Sequence, residues 1–585
     1  MSFEKYQKIF YLSSVILLVI TLLLGVFFRF ANLESKVFWV DEVSTAVRAS
    51  GYTIPEVTND LIQQGIVDRK TLFSYQRPSP DKTFRDSFNA LTKSPEHAPL
   101  YFLLIRVWMQ LWGDSISIIR SFSACISLLV FPSLYWLCQE LFDRRLVSWL
   151  AIMLMSVSPF HVAYAQEARP YSLWTVAILL MSASFLRAIK LNNKQSWILY
   201  SFSLIIGFYT SLFSLYVAFF QGIYFLLILS KKRLQVSKNY VLFSLISLVA
   251  FIPWILVIIN NIDLLHKNTS WMRGNFNIPD IIAVFIGTDL LIFGDLPISQ
   301  NSNPIHTAIA LITITISTLV VIKVSSSWKK KPAKFALWLA IISSIFLLSS
   351  YMYLDWITII GALVALCILS LSVYSVYYLI VNTKRDRWLF IITLMLSLPV
   401  SLLLTDIINQ GQSSTAPRYL IPLQLGILIA VAYTLTSKIT AIQRQNFWRF
   451  VVVAFLTLGI FSCARNLNLS PFYQKGRNIN NPAIAQIINQ NDSALVIAEY
   501  SSTMDAFSLA YSLSPQVKYK VINQGGNLDE YIKNFENIYV LKPSLQLKQK
   551  LKNNRQINFK QVYKSHIFSA DEFPLDLWSV KQVKI

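Results

Sequence analysis

Two adjacent carboxylates, Asp41 and Glu42, are the residues best placed to do chemistry in this 585-residue chain. They follow an apolar segment, residues 9–30, that is long enough to cross a bilayer. Acidic side chains close to a bilayer are costly unless they serve a function. The structural alternative is that both carboxylates simply stabilise the N-terminus of a helix. We interpret Asp41 and Glu42 as candidate catalytic residues.

Further polar side chains are predicted on the same side of the membrane. Glu96 and His97 precede a short apolar helix (residues 99–112). Glu167, Arg169 and Tyr171 lie where two spans are joined, and Arg418 and Tyr419 lie at the start of a late span. All seven are candidate substrate-binding residues. A guanidinium binds phosphate bidentately, so Arg418 suits a phosphate group. The alternatives are that His97 is a turn residue, that Glu167 pairs with Arg169, and that Arg418 snorkels at the interface.

The elements that hold these residues are membrane helices. Of the residues, 54% are hydrophobic and 14% charged, with a mean hydropathy of +0.50, whereas soluble proteins carry roughly 25% charged residues. The four cysteines have neither zinc spacing nor a disulfide framework. The composition therefore predicts a polytopic α-helical membrane protein.

The hydropathy pattern predicts about thirteen spans, at residues 9–30, 116–138, 146–166, 171–189, 196–210, 212–230, 239–260, 304–323, 334–353, 356–381, 388–407, 419–437 and 447–464. With the N-terminus inside, every short basic loop falls on one side, as the positive-inside rule requires. The net charge of +22 then records orientation and contact with anionic lipid, and no nucleic-acid partner is predicted.

This topology divides the chain into two predicted domains. Residues 1–465 form a transmembrane domain whose first external loop, 31–115, carries the acidic pair, and residues 52–95 of that loop resemble a mobile segment. Residues 466–585 contain strand-like runs at 494–498, 538–541 and 577–580, which indicate a small soluble α/β domain on the outer face. Asp355 and Asp406, at outer ends of spans, are interpreted as solvated boundary residues.

The order of the motifs resembles that of a known family. The motifs are Trp39-Val40-Asp41-Glu42, His97-Ala98-Pro99-Leu100-Tyr101, Gly113 with Arg120-Ser121, Gln166 to Tyr171, and Arg418-Tyr419. In this order they resemble the GT-C membrane glycosyltransferases, in the branch of protein O-mannosyltransferases and lipid A aminoarabinose transferases. The similarity covers roughly residues 1–465, and Ala98 departs from the commoner His-Pro-Pro sequence.

The resemblance implies a glycosyltransferase that moves a sugar from a polyprenyl-phosphate carrier to a lipid, glycan or protein acceptor. It implies a multi-pass plasma (inner) membrane protein with its site facing the periplasm or exterior. In this hypothesis Asp41 is the general base, Glu42 orients the acceptor or holds the partner of Asp41, and Arg418, with His97, holds the phosphate. No cofactor is required, although a divalent cation bridging the acidic pair and the phosphate stays an open alternative.

Two other classes of protein share some of these features. A transporter or flippase of a lipid-linked saccharide also needs many spans and a cation for the head group. The polar residues, however, cluster at the outer face instead of the midplane, and the sequence has no repeated halves. A non-catalytic scaffold with an outer binding domain would leave Asp41, Glu42 and Arg418 unexplained.

Overall fold

The computed structural model describes residues 3–228, 234–295, 356–441, 444–469, 476–491, 493–554, 556–565 and 575–582. In the first two of these ranges the helices are, in chain order, α1 Phe3–Phe30, α2 Val40–Ala49, α3 Ile54–Gln64, α4 Arg69–Ser74, α5 Phe84–Thr92, α6 Leu100–Trp112, α7 Ile116–Leu128, α8 Val130–Phe142, α9 Arg145–Ser156, α10 Pro159–Ala165, α11 Tyr171–Leu191, α12 Lys194–Thr210, α13 Ser214–Ile228, α14 Leu234–Asn260, α15 Ile262–Asn268 and α16 Ile278–Phe293. A two-residue strand, β1 (Ile66–Val67), lies between α3 and α4.

The later ranges continue with helices and then with a sheet. Their helices are α17 Trp356–Asn382, α18 Arg385–Asn409, α19 Ile421–Thr440, α20 Gln445–Leu467, α21 Asn481–Ile488, α22 Thr503–Ala510, α23 Asp529–Asn534 and α24 Leu545–Asn553. Their strands are β2 Leu495–Glu499, β3 Lys518–Ile522, β4 Ile538–Leu541, β5 Ile557–Tyr563 and β6 Leu577–Gln582.

Within the described residues, seven helical stretches are long and apolar enough to cross a membrane, and an eighth is added if the bent pair α9–α10 is one span. Together with the low charge content, they identify a multi-pass membrane protein. Each predicted span outside residues 296–355 coincides with a helix or a helix pair, while spans 304–323 and 334–353 lie outside the described residues. The number thirteen therefore stays a prediction.

One predicted span, 146–166, is not a continuous helix. Helices α9 and α10 meet at 64°, and Pro159 is the first residue of α10. Proline lacks the N–H that would continue the helical ladder, and it disfavours helical geometry in the residue before it. The break brings the end of α10, and the turn after it, back towards the first span, which α10 contacts.

The prediction of a mobile segment at residues 52–95 is wrong. This stretch forms α3, β1, α4 and α5, and its apolar side chains Val57, Leu61, Leu72 and Leu91 are buried. The Thr53 hydroxyl accepts the N–H of Glu56 at the start of α3, a capping interaction that fixes the helix terminus. The segment is ordered because it packs against the C-terminal part of the chain, which a local reading of polar residues does not reveal.

The C-terminal part forms a six-stranded sheet in the order β1-β3-β2-β4-β6-β5. Strands β3, β2 and β4 are parallel, and the other pairings are antiparallel. All residues of the central strand β2 are buried, as expected for a strand covered on both faces. The predicted strand-like runs coincide with β2, β4 and β6. Since β1 lies within residues 31–115, that segment and the C-terminal part build the sheet together, and the domain division at residue 466 stays a prediction.

Candidate active site

The acidic pair lies in the first turn of α2. Trp39 precedes the helix in an extended conformation, with φ −83° and ψ 170°, and Asp41 and Glu42 follow it directly. The positive end of the helix dipole favours both carboxylates. Neighbouring residues on a helix point about 100° apart, so the two side chains face different surroundings. Asp41 is 32% exposed, whereas Glu42 is 1% exposed.

Glu42 is bound on all sides by the protein. Arg120 of α7 donates to both carboxylate oxygens, with Nε–Oε1 2.8 Å and Nη2–Oε2 2.7 Å, and the N–H of Ala168 donates to Oε1 at 2.9 Å. Arg120 also donates to the carbonyls of Leu33 and Val37. Charge-assisted bidentate pairs of this kind are strong and geometrically specific. Glu42 therefore ties the start of α2 to α7 and to the turn that contains Ala168.

Arg169 in that turn is the partner of Asp41. Its Nη2 lies 3.8 Å from Asp41 Oδ2, and its Nη1 donates to the Thr45 hydroxyl at 3.0 Å. Burial alone would lower the pKa of Arg169, but the Asp41 carboxylate and other nearby groups outweigh it and raise that pKa above its usual value. The guanidinium thus stays charged. The hydrogen bond from the Ala168 N–H to Glu42 fixes the residue immediately before Arg169.

The rest of the turn is also anchored. The buried Glu167 accepts the indole N–H of Trp39 at 3.0 Å. Gln166 donates from Nε2 to the carbonyls of Phe28 and Ala31, at 2.7 and 2.8 Å, and so satisfies acceptors at the C-terminal end of α1. Glu167 therefore faces the supporting structure around α2 and not the open side of Asp41.

Glu96 and His97 precede α6 on a second side of the site. The two side chains are 3.6 Å apart, between His97 Nε2 and Glu96 Oε1, and Glu96 also accepts the side-chain amide of Asn268. Burial, followed by the positive charges of Arg48 and Arg169, holds the pKa of His97 well below its usual range. His97 is therefore neutral at physiological pH and can give or accept one hydrogen bond, but it supplies no positive charge.

The sequence analysis missed Arg48, which lies two turns after Asp41 on the same face of α2. Arg48 is buried, donates from Nε to the Ser94 hydroxyl at 3.0 Å, and interacts electrostatically with Glu96 and Asp41. Burial is the largest cause that lowers the pKa of Arg48. The spacing of seven residues from Asp41 was the signal that could have found it.

Arg418 and Tyr419 approach from the other side, at the start of a span. The Arg418 guanidinium lies over the rings of Trp271 and Tyr419, at 5.8 and 5.2 Å, and its buried Nε has no hydrogen-bond partner. Tyr171, Tyr419 and Asp41 all lie close enough to interact with it electrostatically. Arg418 therefore retains a donor for a ligand, and Trp271, in the short turn after α15, is a neighbour that the sequence did not predict.

The interpretation of Asp406 as a solvated residue is wrong. Its side chain is buried, and it accepts the N–H of Ser413 at 2.7 Å, the Ser413 hydroxyl at 2.6 Å and the N–H of Ser414 at 2.7 Å. The chain folds back after α18, so the carboxylate binds the loop that leads to Arg418 instead of facing water. Asp355 lies outside the described residues.

Two tyrosines complete the wall around Asp41. Tyr171 packs edge-on against Tyr164 with ring centroids 5.2 Å apart, and Tyr419 packs against Phe213 at 4.5 Å. Both tyrosines are buried. The structure therefore brings together Asp41, Arg169, Tyr171, Arg418 and Tyr419. Arg48 interacts with both Asp41 and Glu96, and so connects Glu96 and His97 to this group. Glu42 and Glu167 are buried and bind the segments that carry Asp41 and Arg169.

Within the described residues, no group of three or more His, Cys, Asp or Glu side chains could hold a metal. The carboxylates nearest the open space, Asp41 and Glu96, each already face a guanidinium, Arg169 and Arg48 respectively. A divalent cation therefore stays an open alternative.

Residues 96–257 match the family model of dolichyl-phosphate-mannose-protein mannosyltransferases. Over these residues the resemblance to GT-C membrane glycosyltransferases of the protein O-mannosyltransferase branch is confirmed. The matched region is somewhat more than a quarter of the chain and contains Glu96, His97, Arg120 and the turn with Glu167 and Arg169. Asp41 and Arg418 lie outside it.

Several solved GT-C structures are similar to the chain at low sequence identity. ArnT from Cupriavidus metallidurans bound to undecaprenyl phosphate has 11% identity and a TM-score of 0.37, with 97% of this chain and 98% of that chain covered. The same protein in its apo state has 13% identity and a TM-score of 0.42, again with 97% of this chain and 98% of that chain covered. The apo oligosaccharyltransferase of Archaeoglobus fulgidus has 10% identity and a TM-score of 0.46, with 90% of this chain and 69% of that chain covered. No curated protein sequence matches the chain.

Proposed function

We propose that the chain is a glycosyltransferase that moves a sugar from a polyprenyl-phosphate carrier to an acceptor on the outer face of a plasma membrane. The observation that carries the proposal is the placement of a partly exposed carboxylate, Asp41, beside a guanidinium with an unused donor, Arg418. The match to a mannosyltransferase family that takes its name from a lipid-phosphate donor supports the same reaction class.

Arg418 is the group best suited to the carrier phosphate. It begins the span Pro417–Thr440, so a lipid chain lying among the helices can present its head group at that level. The Nε atoms of Arg418 and Arg169 both lack a partner in the protein, but the two Nη atoms of Arg169 already face Asp41 and donate to Thr45. A guanidinium binds a phosphate bidentately and stabilises the charge that develops on the leaving oxygen.

Asp41 is the group best suited to the acceptor proton. The acceptor oxygen attacks the anomeric carbon, the bond from that carbon to the phosphate oxygen breaks, and its electron pair leaves on the phosphate. The acceptor proton passes to the Asp41 carboxylate. A carboxylate is a weak base towards a hydroxyl group, so Asp41 acts late, when oxocarbenium character in the sugar has made the acceptor proton acidic.

The other predicted site residues take supporting roles in this scheme. Neutral His97 and the nearby Glu96 can form hydrogen bonds with sugar hydroxyls or the phosphate, but His97 adds no charge. Glu42 and Glu167 hold the segments that carry Asp41 and Arg169. No cofactor enters the reaction.

The function is tested by a transfer assay in nanodiscs. Radiolabelled polyprenyl-phosphate sugars are offered with a membrane extract as acceptor. We expect label to appear in the acceptor fraction and unglycosylated carrier phosphate to accumulate in equal amount. Movement of intact labelled carrier across sealed vesicles, with no transfer of sugar, would contradict the proposal and favour a transporter.

Arg418→Ala is expected to weaken donor binding by roughly 10- to 100-fold, because hydrogen bonds to charged groups contribute about 1.5–3 kcal/mol. Arg418→Lys should recover only part of this loss, since an ammonium cannot bind phosphate bidentately. The measurement is the dissociation constant for a labelled carrier by equilibrium binding in nanodiscs. Arg77→Ala, which removes an arginine that is 57% exposed on the outer side, is the matched control. Normal carrier binding by Arg418→Ala would show that the phosphate lies elsewhere.

A further inference from the structure

The C-terminal segment is bonded directly to the first turn of α2, the turn that carries Asp41. The Asn478 side-chain oxygen accepts the N–H of Val40 at 2.9 Å, and the Ser508 hydroxyl donates to the carbonyl of Phe38 at 2.7 Å. The ring of Phe38 also packs edge-on against Tyr511, with centroids 5.1 Å apart. The start of α2 is thus held on both sides of Trp39 by residues more than 400 positions away.

One arginine of this segment is held in place by a buried carboxylate. Arg477 donates to both oxygens of Asp505, with Nε–Oδ1 3.0 Å and Nη2–Oδ2 2.9 Å, and it interacts electrostatically with Asp41. Asp505 has no exposed surface, whereas Arg477 is 27% exposed. Asn478, which binds the start of α2, also donates to Asp505 at 3.3 Å. A single buried carboxylate therefore fixes both residues that connect the segment to Asp41.

Stability alone does not explain the ion pair between Asp505 and Arg477. Burying an ion pair costs desolvation energy, so such a pair is often no more stabilising than apolar residues of similar volume. A fully buried aspartate that holds a partly exposed arginine does, however, fix the position of one positive charge. That charge interacts electrostatically with Asp41.

We propose that the C-terminal segment is part of the catalytic site, with Arg477, Asn478 and Asp505 as positioning residues for Asp41. The inference rests on the proposed function, in which Asp41 takes the acceptor proton. Asn478 fixes the turn from which the Asp41 side chain projects, and Arg477, held by Asp505, adds a positive charge that interacts electrostatically with its carboxylate. The segment 466–585 thus acts on the reaction itself, in addition to any contact with an acceptor.

Several charged or titratable groups face Asp41 from every element around it. They are Arg48 on α2, Arg169 in the turn before α11, Arg418 and Tyr419 before α19, Tyr171 at the start of α11, and Arg477 before α21. Removing a positive charge beside a carboxylate favours its protonated form. A protonated Asp41 cannot accept a proton, so the acid limb of the pH–rate profile should move to higher pH.

The test follows the ionisation of Asp41 directly. A water-soluble carbodiimide modifies protonated carboxyls, and peptide mass spectrometry gives the pH midpoint for modification of Asp41 in the full-length protein. For Arg477→Met we expect this midpoint to rise by about 0.5–1 pH unit. The acid limb of the pH profile of kcat/KM should move to higher pH by the same amount. Arg477→Lys should restore most of the wild-type value, because it keeps the charge.

The control is Arg69→Met. Arg69 also connects the first external loop to the C-terminal segment, through the carbonyl of Leu513, but it lies beside Tyr519. If Arg477→Met unfolds because Asp505 is left unpaired, Arg477→Met/Asp505→Asn removes both charges and should raise the midpoint by a smaller amount, because loss of the Asp505 charge acts in the opposite direction. An unchanged midpoint in a folded Arg477 variant would overturn the inference.

The two proposals fail in distinguishable ways. If the wild type transfers no sugar, the labelling midpoint still decides whether Arg477 acts on Asp41. A raised midpoint with an unmoved acid limb would contradict the assignment of Asp41 as the base, and with it the catalytic role of the segment.

Discussion

Asp41→Asn is expected to lower the rate of sugar transfer by about 10²–10⁴-fold, the usual contribution of a general base. The amide keeps the size of the side chain and the start of α2, but it cannot take the acceptor proton. Because Asp41 faces Arg169 and is not predicted to hold the phosphate, carrier binding should stay close to the wild-type value. The measurement is single-turnover transfer from a saturating labelled carrier, beside the equilibrium binding of the same carrier.

Asp114→Asn provides the matched control. Asp114 is also an aspartate of an outer segment that pairs with an arginine, at 2.7 Å from Arg77, and its side chain is 32% exposed, the same fraction as Asp41. Its amide variant should transfer sugar normally. Equal and full transfer by Asp41→Asn would remove Asp41 from the catalytic role.

Removal of either partner of the buried Glu42–Arg120 pair is expected to destabilise the protein by about 3–5 kcal/mol, because the remaining charge is left buried without its partner. Arg120→Met leaves Glu42 with only weaker backbone donors, and Glu42→Gln leaves the Arg120 guanidinium uncompensated. The double variant Glu42→Gln/Arg120→Met should lose less than the sum of the two single losses, since no unpaired charge remains. The free energy of unfolding in detergent is the quantity to measure.

An exposed pair gives the comparison for this effect. Arg77→Met breaks the Arg77–Asp114 pair, whose partners are 57% and 32% exposed, and should change the free energy of unfolding by no more than about 1 kcal/mol. If Arg120→Met were no more destabilising than Arg77→Met, the buried pair would not be what holds α2 against α7. Folded Glu42→Gln should retain transfer, because Glu42 positions the site and does not face the acceptor.

The positions of the spans were predictable because they depend on local composition. A run of apolar residues long enough to cross the bilayer leaves few alternatives to a membrane helix. The same holds for the strands β2, β4 and β6, which read as short apolar runs between polar segments. The break between α9 and α10 could have been anticipated from Pro159, but its angle of 64° could not.

Order in the first external loop was not predictable from that loop alone. Residues 52–95 are polar on average, and their few apolar side chains are buried only because the sheet supplies a partner surface. Strand β1 has two residues, Ile66 and Val67, and it is a strand only through its pairing with β3. A local reading of this stretch therefore predicted mobility where the structure has helices and an edge strand.

The sequence by itself determined that the chain crosses the membrane many times and that Asp41, Arg169 and Arg418 are candidates for one site. Those inferences follow from residue type, apolar length and predicted side of the membrane. Only the tertiary structure decided that the Asp41 side chain is partly exposed, while that of its neighbour Glu42 is buried and paired with Arg120, 78 positions away. It also decided that Arg48 and Arg477 face Asp41. The physical reason is that burial and charge pairing depend on contacts between distant segments, which no local pattern contains.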